Sequence, residues 1–217
     1  MRISLLQPKI IRGNIDYNLK IIQQLINTSK GDLLILAEYA LTGSLVLDNK
    51  ANVQDWAEKS EKAKKKLKIP NNKILLINSL KKIENRLYNI CELIPINKYQ
   101  IKVYPDDSEK NNGILPGEKH EIFDLIGKKF KIMICMDFKY ADTIPSEKID
   151  FFIWIYHFSE ENYPRMLSML KKFVKKRKIP VLVSSLVSDK NNGFSTYIDQ
   201  HKIISLSNYE GILEIDL

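Results

Sequence analysis

The sequence contains little cysteine and little histidine. Of 217 residues, two are cysteine and three are histidine. Cys91 and Cys135 are too few for a disulfide framework and do not form a CxxC pattern. Three isolated histidines without paired spacing are poor material for a metal site. We therefore expect a protein of a reduced compartment that holds no metal ion and needs no cofactor.

Long apolar runs are also missing from the sequence. The longest stretches, such as FFIWIY at 151–156, fall far below the ~20 residues that a membrane-spanning helix needs. At the N-terminus, MRISLLQP reaches Pro8 before the apolar region of a signal peptide could develop. These features predict a cytoplasmic protein with no membrane partner.

Glycine and proline, eight of each, are scattered along the chain and do not collect into a linker. No internal repeat is visible. A chain of this length with 44% hydrophobic residues is large enough for one substantial core. We expect a single domain over residues 1–217.

Positive charge is in excess, with 34 basic against 26 acidic residues and a net charge of +8. Such a balance can indicate a nucleic-acid partner. However, the lysines are spread along the chain, and the two densest runs, 61–68 and 171–178, have the pattern of solvated helix faces. We expect no nucleic-acid partner.

Apolar periodicity predicts strands and helices in alternation near the N-terminus. Residues 2–7 and 32–38 are continuous apolar runs, typical of strands buried on both faces. Between them apolar residues recur at helical spacing, with Asn14 as a plausible N-cap and Gly31 as a stop. Two further helices are predicted over 53–67 and 161–178.

The middle of the chain has a different pattern, in which short β-like runs are separated by polar turns. This is typical of meandering strands. A hairpin is predicted between 120–125 and 130–137, with its turn at Gly127. Three short strands are expected after the run at 180–187. These elements fit an α/β fold in which two sheets face each other and helices lie outside.

Three reactive side chains end or interrupt apolar strands. Glu38 closes LLILAE, Lys102 interrupts YQIKVY, and Cys135 lies near the end of FKIMICMD. On a period of two, Cys135 would share the more polar face of its strand with Lys131 and Asp137. Taken singly, each residue has an ordinary structural explanation, since a lone cysteine in an apolar strand is most often a small buried hydrophobe.

The order and context of these residues resemble the nitrilase superfamily of carbon–nitrogen hydrolases, whose catalytic set is Glu, Lys and Cys. LAEYALTG at 36–43 is similar to the family's Pro-Glu…Leu-Thr-Gly segment. YQIKVYP at 99–105 resembles its Tyr-Arg-Lys-x-His-Leu stretch. Residues 108–142 resemble its Glu-x-x-x-Phe-x-Pro-Gly segment followed by the nucleophile motif Ile-Cys-Tyr-Asp. The match extends over essentially the whole chain.

The resemblance implies a mechanism and an architecture. Cys135 would be the nucleophile that forms a thioester acyl-enzyme, Glu38 the general base, and Lys102 the cation that stabilises the oxyanion, with Glu109 as a second glutamate orienting the lysine. The implied substrate is a small-molecule amide or N-carbamoyl compound. The implied fold is a four-layer α-β-β-α sandwich of two facing mixed sheets with outer helices. Family members also imply a homodimer or higher homo-oligomer.

Several positions depart from the family pattern and bear on the substrate. Met136 replaces the usual Tyr or Trp after the nucleophile, and Lys139 replaces an Arg. Loops are shorter than is common in the family, and loops carry specificity. Met136, together with Tyr156 and His157 beyond the following strand, is expected to line the substrate pocket.

Two other functions remain open at this point. One is a Cys–His hydrolase that pairs Cys135 with His120, His157 or His201. The other is a catalytically weak or inactive member of the fold that acts as a basic binding or regulatory module, suggested by Met136, the short loops and the +8 charge. Retention of all three catalytic side-chain types speaks against this second possibility.

Overall fold

A computed structural model describes residues 1–44 and 52–217. In these ranges the strands are β1 (Arg2–Gln7), β2 (Leu33–Leu36), β3 (Ile74–Ile83), β4 (Arg86–Ile94), β5 (Lys98–Ile101), β6 (Ile114–Leu115), β7 (Phe123–Leu125), β8 (Lys128–Ile134), β9 (Phe151–Ile155), β10 (Val181–Ser184), β11 (Thr196–Ile198), β12 (Ile203–Ser205) and β13 (Gly211–Asp216). The helices are α1 (Ile15–Thr28), α2 (Val53–Lys64), α3 (Asp107–Asn111) and α4 (Tyr163–Arg177). A 3-10 segment covers Cys135–Thr143. None of the helices in the described ranges is both long and apolar enough to cross a bilayer.

The strands form two mixed sheets. The first has the order β13-β1-β2-β3-β4-β5, with β6 added beside β4. The second has the order β12-β11-β10-β9-β8-β7. In the first sheet β1, β2 and β3 run parallel, and in the second β8, β9 and β10 do so. The remaining neighbours on the main path of each sheet are antiparallel, so the meander and the hairpin predicted for the middle of the chain are confirmed.

Apolar side chains pack between the four layers in three main clusters. The central one joins residues of both sheets, for example Leu5 and Ile35 of the first with Ile132 and Ile153 of the second. A second cluster packs α1 against the outer face of the first sheet. A third packs α4 against the outer face of the second. The predicted α-β-β-α sandwich of two facing mixed sheets is therefore confirmed.

Local details agree with the sequence pattern at α1 and differ elsewhere. The Asn14 side chain caps α1 by accepting from the backbone N–H of Tyr17, as predicted. The short helix α3 was not predicted, because five residues are too few to show a helical period.

The basic run 61–68 was predicted to form a solvated helix face, and this prediction is wrong in part. Lys64 is buried on α2 and pairs with Glu92 on β4, with Nζ–Oε2 at 2.6 Å, and with Glu61 one turn away. Lys81 completes this group, 2.8 Å from the other oxygen of Glu92. We refer to Glu61, Lys64, Lys81 and Glu92 as the outer ionic cluster.

Candidate active site

A cavity opens where strands of both sheets end. Glu38 follows β2, Lys102 directly follows β5, Cys135 directly follows β8, and Tyr156 and His157 follow β9. In open α/β sheets, ligands bind at the carboxyl ends of strands, and these five residues all lie there. The cavity has a volume of about 230 Å³ and is lined by Arg12, Glu38, Tyr39, Ser44, Lys102, Asp106, Glu109, Cys135, Tyr156, His157, Lys190 and Asn191.

Lys102 lies between two carboxylates at the base of this cavity. Its Nζ is 3.1 Å from Glu38 Oε1 and 2.7 Å from Glu109 Oε2. Its side chain is 1% exposed, and those of both glutamates are 3% exposed. Burial by itself would lower the pKa of the Lys102 ammonium, but the facing carboxylates, Glu38 most strongly, raise this pKa well above its usual value. Lys102 is therefore a fixed positive charge beside the thiol.

Side-chain amides hold these carboxylates in place. Asn89 Nδ2 lies 2.9 Å from Glu38 Oε1 and 2.7 Å from Glu109 Oε1. The Asn89 carbonyl oxygen in turn accepts from Asn78 Nδ2 at 2.6 Å. The Tyr39 hydroxyl donates to Glu109 Oε1 at 3.0 Å. Both glutamates are thus oriented by groups that are themselves fixed.

Glu109 reaches the site because α3 is capped. The Asp106 side chain accepts from the Glu109 backbone N–H at 2.9 Å, and Glu109 Oε2 accepts from the Asp106 backbone N–H at 2.9 Å. This reciprocal arrangement is a capping box. The same Oε2 also contacts Lys102, so helix capping and placement of the buried charge use one carboxylate.

Cys135 lies outside the strand in which it was predicted. β8 ends at Ile134, and Cys135 begins the 3-10 segment with φ of 48°. Its side chain packs with the central cluster, whereas Met133 packs on the outer face with α4. Lys131 lies on the same face of β8 as Met133. The prediction that Cys135 shares this face with Lys131 is therefore wrong, because the left-handed backbone at Cys135 breaks the alternation of the strand.

Asp137 ties the segment that begins at Cys135 to the chain that follows Lys102. Its carboxylate accepts from the backbone N–H of Ile134 at 2.9 Å, Val103 at 3.1 Å and Tyr104 at 2.8 Å. Burial raises the pKa of Asp137 to about 7, while these three N–H groups act to lower it. Asp137 therefore fixes backbone geometry between the two sheets.

Burial and the neighbouring carboxylate favour the protonated form of the Cys135 thiol. Desolvation raises its pKa well above the usual value, the Glu38 carboxylate raises it further, and Lys102 acts in the opposite direction. Cys91, by contrast, is completely buried in the central cluster. Any reaction at Cys135 consequently needs a nearby base to accept the proton.

His157 is held by the backbone of Glu38. Its Nε2 lies 2.6 Å from the carbonyl oxygen of Glu38. A carbonyl only accepts, so Nε2 carries a proton and donates it. Burial lowers the pKa of His157 and keeps the imidazole neutral, although Glu38 acts in the opposite direction. His157 thus links the segment after β9 to the segment after β2.

The structure brings together six of the seven residues singled out in the sequence: Glu38, Lys102, Glu109, Cys135, Tyr156 and His157 all line the cavity. Met136 is not among the described residues that line it, so a pocket position for its side chain stays a prediction. In a 3-10 turn successive side chains diverge by about 120°. Because the Cys135 side chain is directed into the cavity, the Met136 side chain points away from the direction of the thiol.

Sequence reasoning missed Asn89 and Tyr39. A polar residue in the apolar run RLYNICELI was the available signal for Asn89, because a buried amide needs partners. Tyr39 adjoins the predicted base and has φ of 52°, which a sequence does not reveal.

The other histidines do not line the cavity within the described ranges. His120 Nδ1 lies 3.1 Å from the carbonyl oxygen of Ile132, and His201 is exposed. Residues 1–44 and 52–217 also contain no group of His, Cys, Asp and Glu that could hold a metal ion.

No protein-family model and no curated protein sequence matches the chain. Solved structures do match. The glutamine-dependent NAD+ synthetase from Acinetobacter baumannii superposes with a TM-score of 0.82 at 19% identity. That alignment covers 99% of this chain and 45% of the synthetase, so this chain spans less than half of that protein.

Two further structures match over most of both chains. A variant of the amidase from Nesterenkonia sp. AN1, a nitrilase-superfamily protein, has a TM-score of 0.77 at 15% identity over 100% of this chain and 90% of its own. That amidase carries the acetamide moiety of fluoroacetamide covalently at its active-site cysteine. Saccharomyces cerevisiae Nit3, of branch 10 of the superfamily, has a TM-score of 0.74 at 18% identity, over 99% and 89% of the two chains. The chain therefore has the fold found in the nitrilase superfamily, as the sequence resemblance implied.

Proposed function

We propose that this protein hydrolyses a carbon–nitrogen bond of a small amide or N-carbamoyl compound through a thioester on Cys135. The observation that carries the proposal is the convergence of the Cys135 thiol, the buried Lys102 ammonium and two oriented carboxylates on one cavity. Nucleophilic catalysis needs a nucleophile, a base to activate it and a group that stabilises the oxyanion, and each has a candidate here.

In the first half-reaction Cys135 Sγ attacks the carbonyl carbon while Glu38 accepts the thiol proton. Since burial raises the pKa of Cys135, this transfer accompanies the attack in the proposed mechanism. Glu38 then gives the proton to the leaving nitrogen, the carbon–nitrogen bond breaks, and ammonia or an amine departs. Glu38 next takes a proton from water, whose oxygen attacks the thioester and releases the acid, and the thiol recovers its proton.

Lys102 supports both half-reactions by placing a positive charge against the developing oxyanion, in a site where water is scarce. The backbone N–H of Met136 is the second donor in this proposal. Glu109 and Asn89 position Lys102 and Glu38, because each contacts the charged group directly. The amidase whose cysteine carries an acetamide group is consistent with this chemistry on the same fold.

The cavity limits the size of the substrate. Its volume of about 230 Å³ is below the 300–1,000 Å³ common for drug-sized ligands. We therefore propose a substrate with a short acyl part. Arg12 and Lys190 at the lining make amides with a carboxylate worth including in a screen.

A screen for ammonia release tests the proposal. Small neutral amides, amides with a carboxylate, N-carbamoyl compounds and nitriles are each incubated with the wild type and with Cys135→Ala. Turnover of at least one class that disappears in Cys135→Ala supports the proposal, and Cys91→Ala serves as the matched control that retains it. Absence of turnover across all classes, or equal turnover by Cys135→Ala, would contradict it.

The inactive binding module is the second candidate, and the net charge of +8 favours it. It predicts retention on heparin at raised salt together with no ammonia release. Elution at low salt would contradict the binding module and indicate that the positive charge is ordinary solvated surface.

A further inference from the structure

The carbonyl group of Cys135 has a specific partner in the next strand. Trp154 Nε1 donates to Cys135 O at 3.0 Å. Trp154 lies on β9, directly beside Met133 in the register of β8 and β9. Its side chain belongs to the outer cluster under α4, on the opposite side of the sheet from the central cluster that Cys135 contacts. The indole therefore holds this carbonyl toward the outer face.

The geometry of the peptide bond turns this contact into a constraint on the neighbouring donor. The peptide between Cys135 and Met136 is trans, so its C=O and N–H point in opposite directions. If the carbonyl is drawn to the outer face, the N–H of Met136 points toward the inner side, where the Cys135 side chain and the cavity lie. At the start of a helical turn such an N–H has no carbonyl ahead of it within the helix and is open to another acceptor.

The indole itself is rigidly held. Trp154 stacks on Phe138 with ring centroids 4.2 Å apart and on Tyr156 at 4.4 Å. It is 1% exposed. Phe138 belongs to the same 3-10 segment as Cys135, so the ring contacts this segment through both packing and a hydrogen bond.

We infer that Trp154 is a positioning residue that orients the Cys135–Met136 peptide so that the Met136 N–H serves as an oxyanion donor. The inference rests on the proposed function, because an oxyanion forms only if Cys135 attacks a carbonyl. Trp154 is not among the described residues that line the cavity, so it acts through the Cys135–Met136 peptide. Its effect is to fix a peptide that would otherwise be free to rotate at a residue with positive φ.

The test separates the oxyanion step from the reactivity of the thiol. Alkylation by iodoacetamide displaces iodide at a saturated carbon and forms no oxyanion, whereas amide turnover forms one. Trp154→Phe keeps an aromatic ring for stacking and removes the Nε1 donor. We expect kcat for the amide found in the ammonia screen to fall about tenfold, less than the ~10²–10³ seen when an oxyanion donor is removed outright. The alkylation rate of Cys135 should stay within about twofold of the wild type, since no oxyanion donor takes part in alkylation.

A control and a second variant distinguish loss of the Nε1 donor from loss of packing in the outer cluster. Phe173→Leu removes a ring that contacts Phe138 edge-on in the same outer cluster and makes no bond to Cys135. It should lower Tm and leave kcat near the wild type. Should Trp154→Phe fail to fold, benzothienylalanine at position 154 replaces the N–H by sulfur and keeps the indole shape. Trp56→Phe as background leaves position 154 as the single tryptophan site.

Each outcome decides the inference. A fall in kcat with unchanged alkylation supports it. An unchanged kcat in a wild type that turns amides over would overturn it and leave the proposed function standing. Equal falls in kcat and in alkylation would also overturn it, because Trp154 would then act on the thiol. A wild type without any turnover would defeat the proposed function, and this inference with it.

Discussion

Two ionic clusters among the described residues look alike and have different surroundings. In the site, Lys102 lies between Glu38 and Glu109 with a side chain 1% exposed. In the outer ionic cluster, Lys64 lies between Glu61 and Glu92 with a side chain 4% exposed. In each cluster a lysine ammonium lies between two carboxylates.

The difference lies in what each cluster faces. The outer ionic cluster joins α2 to β3 and β4, and Glu92 is satisfied by Lys64 and Lys81. The site cluster adjoins a cavity and the Cys135 thiol, and an amide of Asn89 holds its carboxylates. A buried salt bridge is therefore weak evidence of function by itself, and the thiol with its cavity is what distinguishes the two.

Replacing each lysine by methionine should separate the clusters most strongly. Lys102→Met removes the charge that we propose faces the oxyanion and should lower kcat by about 10³-fold. Lys64→Met should leave kcat within about twofold and lower the free energy of unfolding by about 2 kcal/mol, below the 3–5 kcal/mol typical of breaking a buried pair, because Glu92 keeps Lys81. Steady-state kinetics and urea unfolding measure the two effects. Loss of activity in Lys64→Met equal to that in Lys102→Met would remove the distinction.

Asn89→Leu tests whether activity depends on the side-chain amide that orients the two site carboxylates. Hydrogen bonds to charged groups contribute about 1.5–3 kcal/mol, so misplacing Glu38 and Glu109 should lower kcat roughly 10- to 100-fold. The matched change Glu92→Gln in the outer ionic cluster should leave kcat unchanged. Kinetics alongside circular dichroism, which verifies folding, provide the measurement. An Asn89→Leu protein with wild-type kcat would show that the carboxylates need no orientation.

Asp137 should contribute to the pH dependence of stability. Its pKa is raised by burial to about 7 in the folded protein from 3.8, so the folded state binds more protons between these values. Stability from Asp137 is then fully present below pH 3.8 and is lost as the pH rises through about 7. Asp137→Asn should flatten this decline.

The comparison is made by urea unfolding of wild type and Asp137→Asn at several pH values from 4 upward. An equally steep decline in both proteins would show that Asp137 does not carry it.

The sequence predicted the architecture well because periodicity reports on burial. The apolar run at 2–7 and the N-cap at Asn14 appear where expected. Glu38, Lys102 and Cys135 were found through their order and context, not through any property of one residue. Lys102, however, follows β5 and does not lie within it, since that strand ends at Ile101.

The remaining contacts could not be predicted because they join residues far apart in the chain. Asn89 meets Glu38 across 51 positions, and Trp154 meets Cys135 across 19. Both depend on strand register, which a single sequence does not specify. The positive φ of Cys135 reversed the face deduced from alternation, and it is this turn that directs the thiol into the cavity.

Mass spectrometry of the protein quenched during turnover tests the central claim most directly. The amide found in the ammonia screen is mixed with the protein, the reaction is quenched with acid during turnover, and the protein is digested to locate any acyl group. The account predicts a thioester on Cys135 that is released by hydroxylamine and does not form in Cys135→Ala. An acyl group on Cys91, or none on Cys135 under conditions in which the wild type turns the amide over, would contradict it.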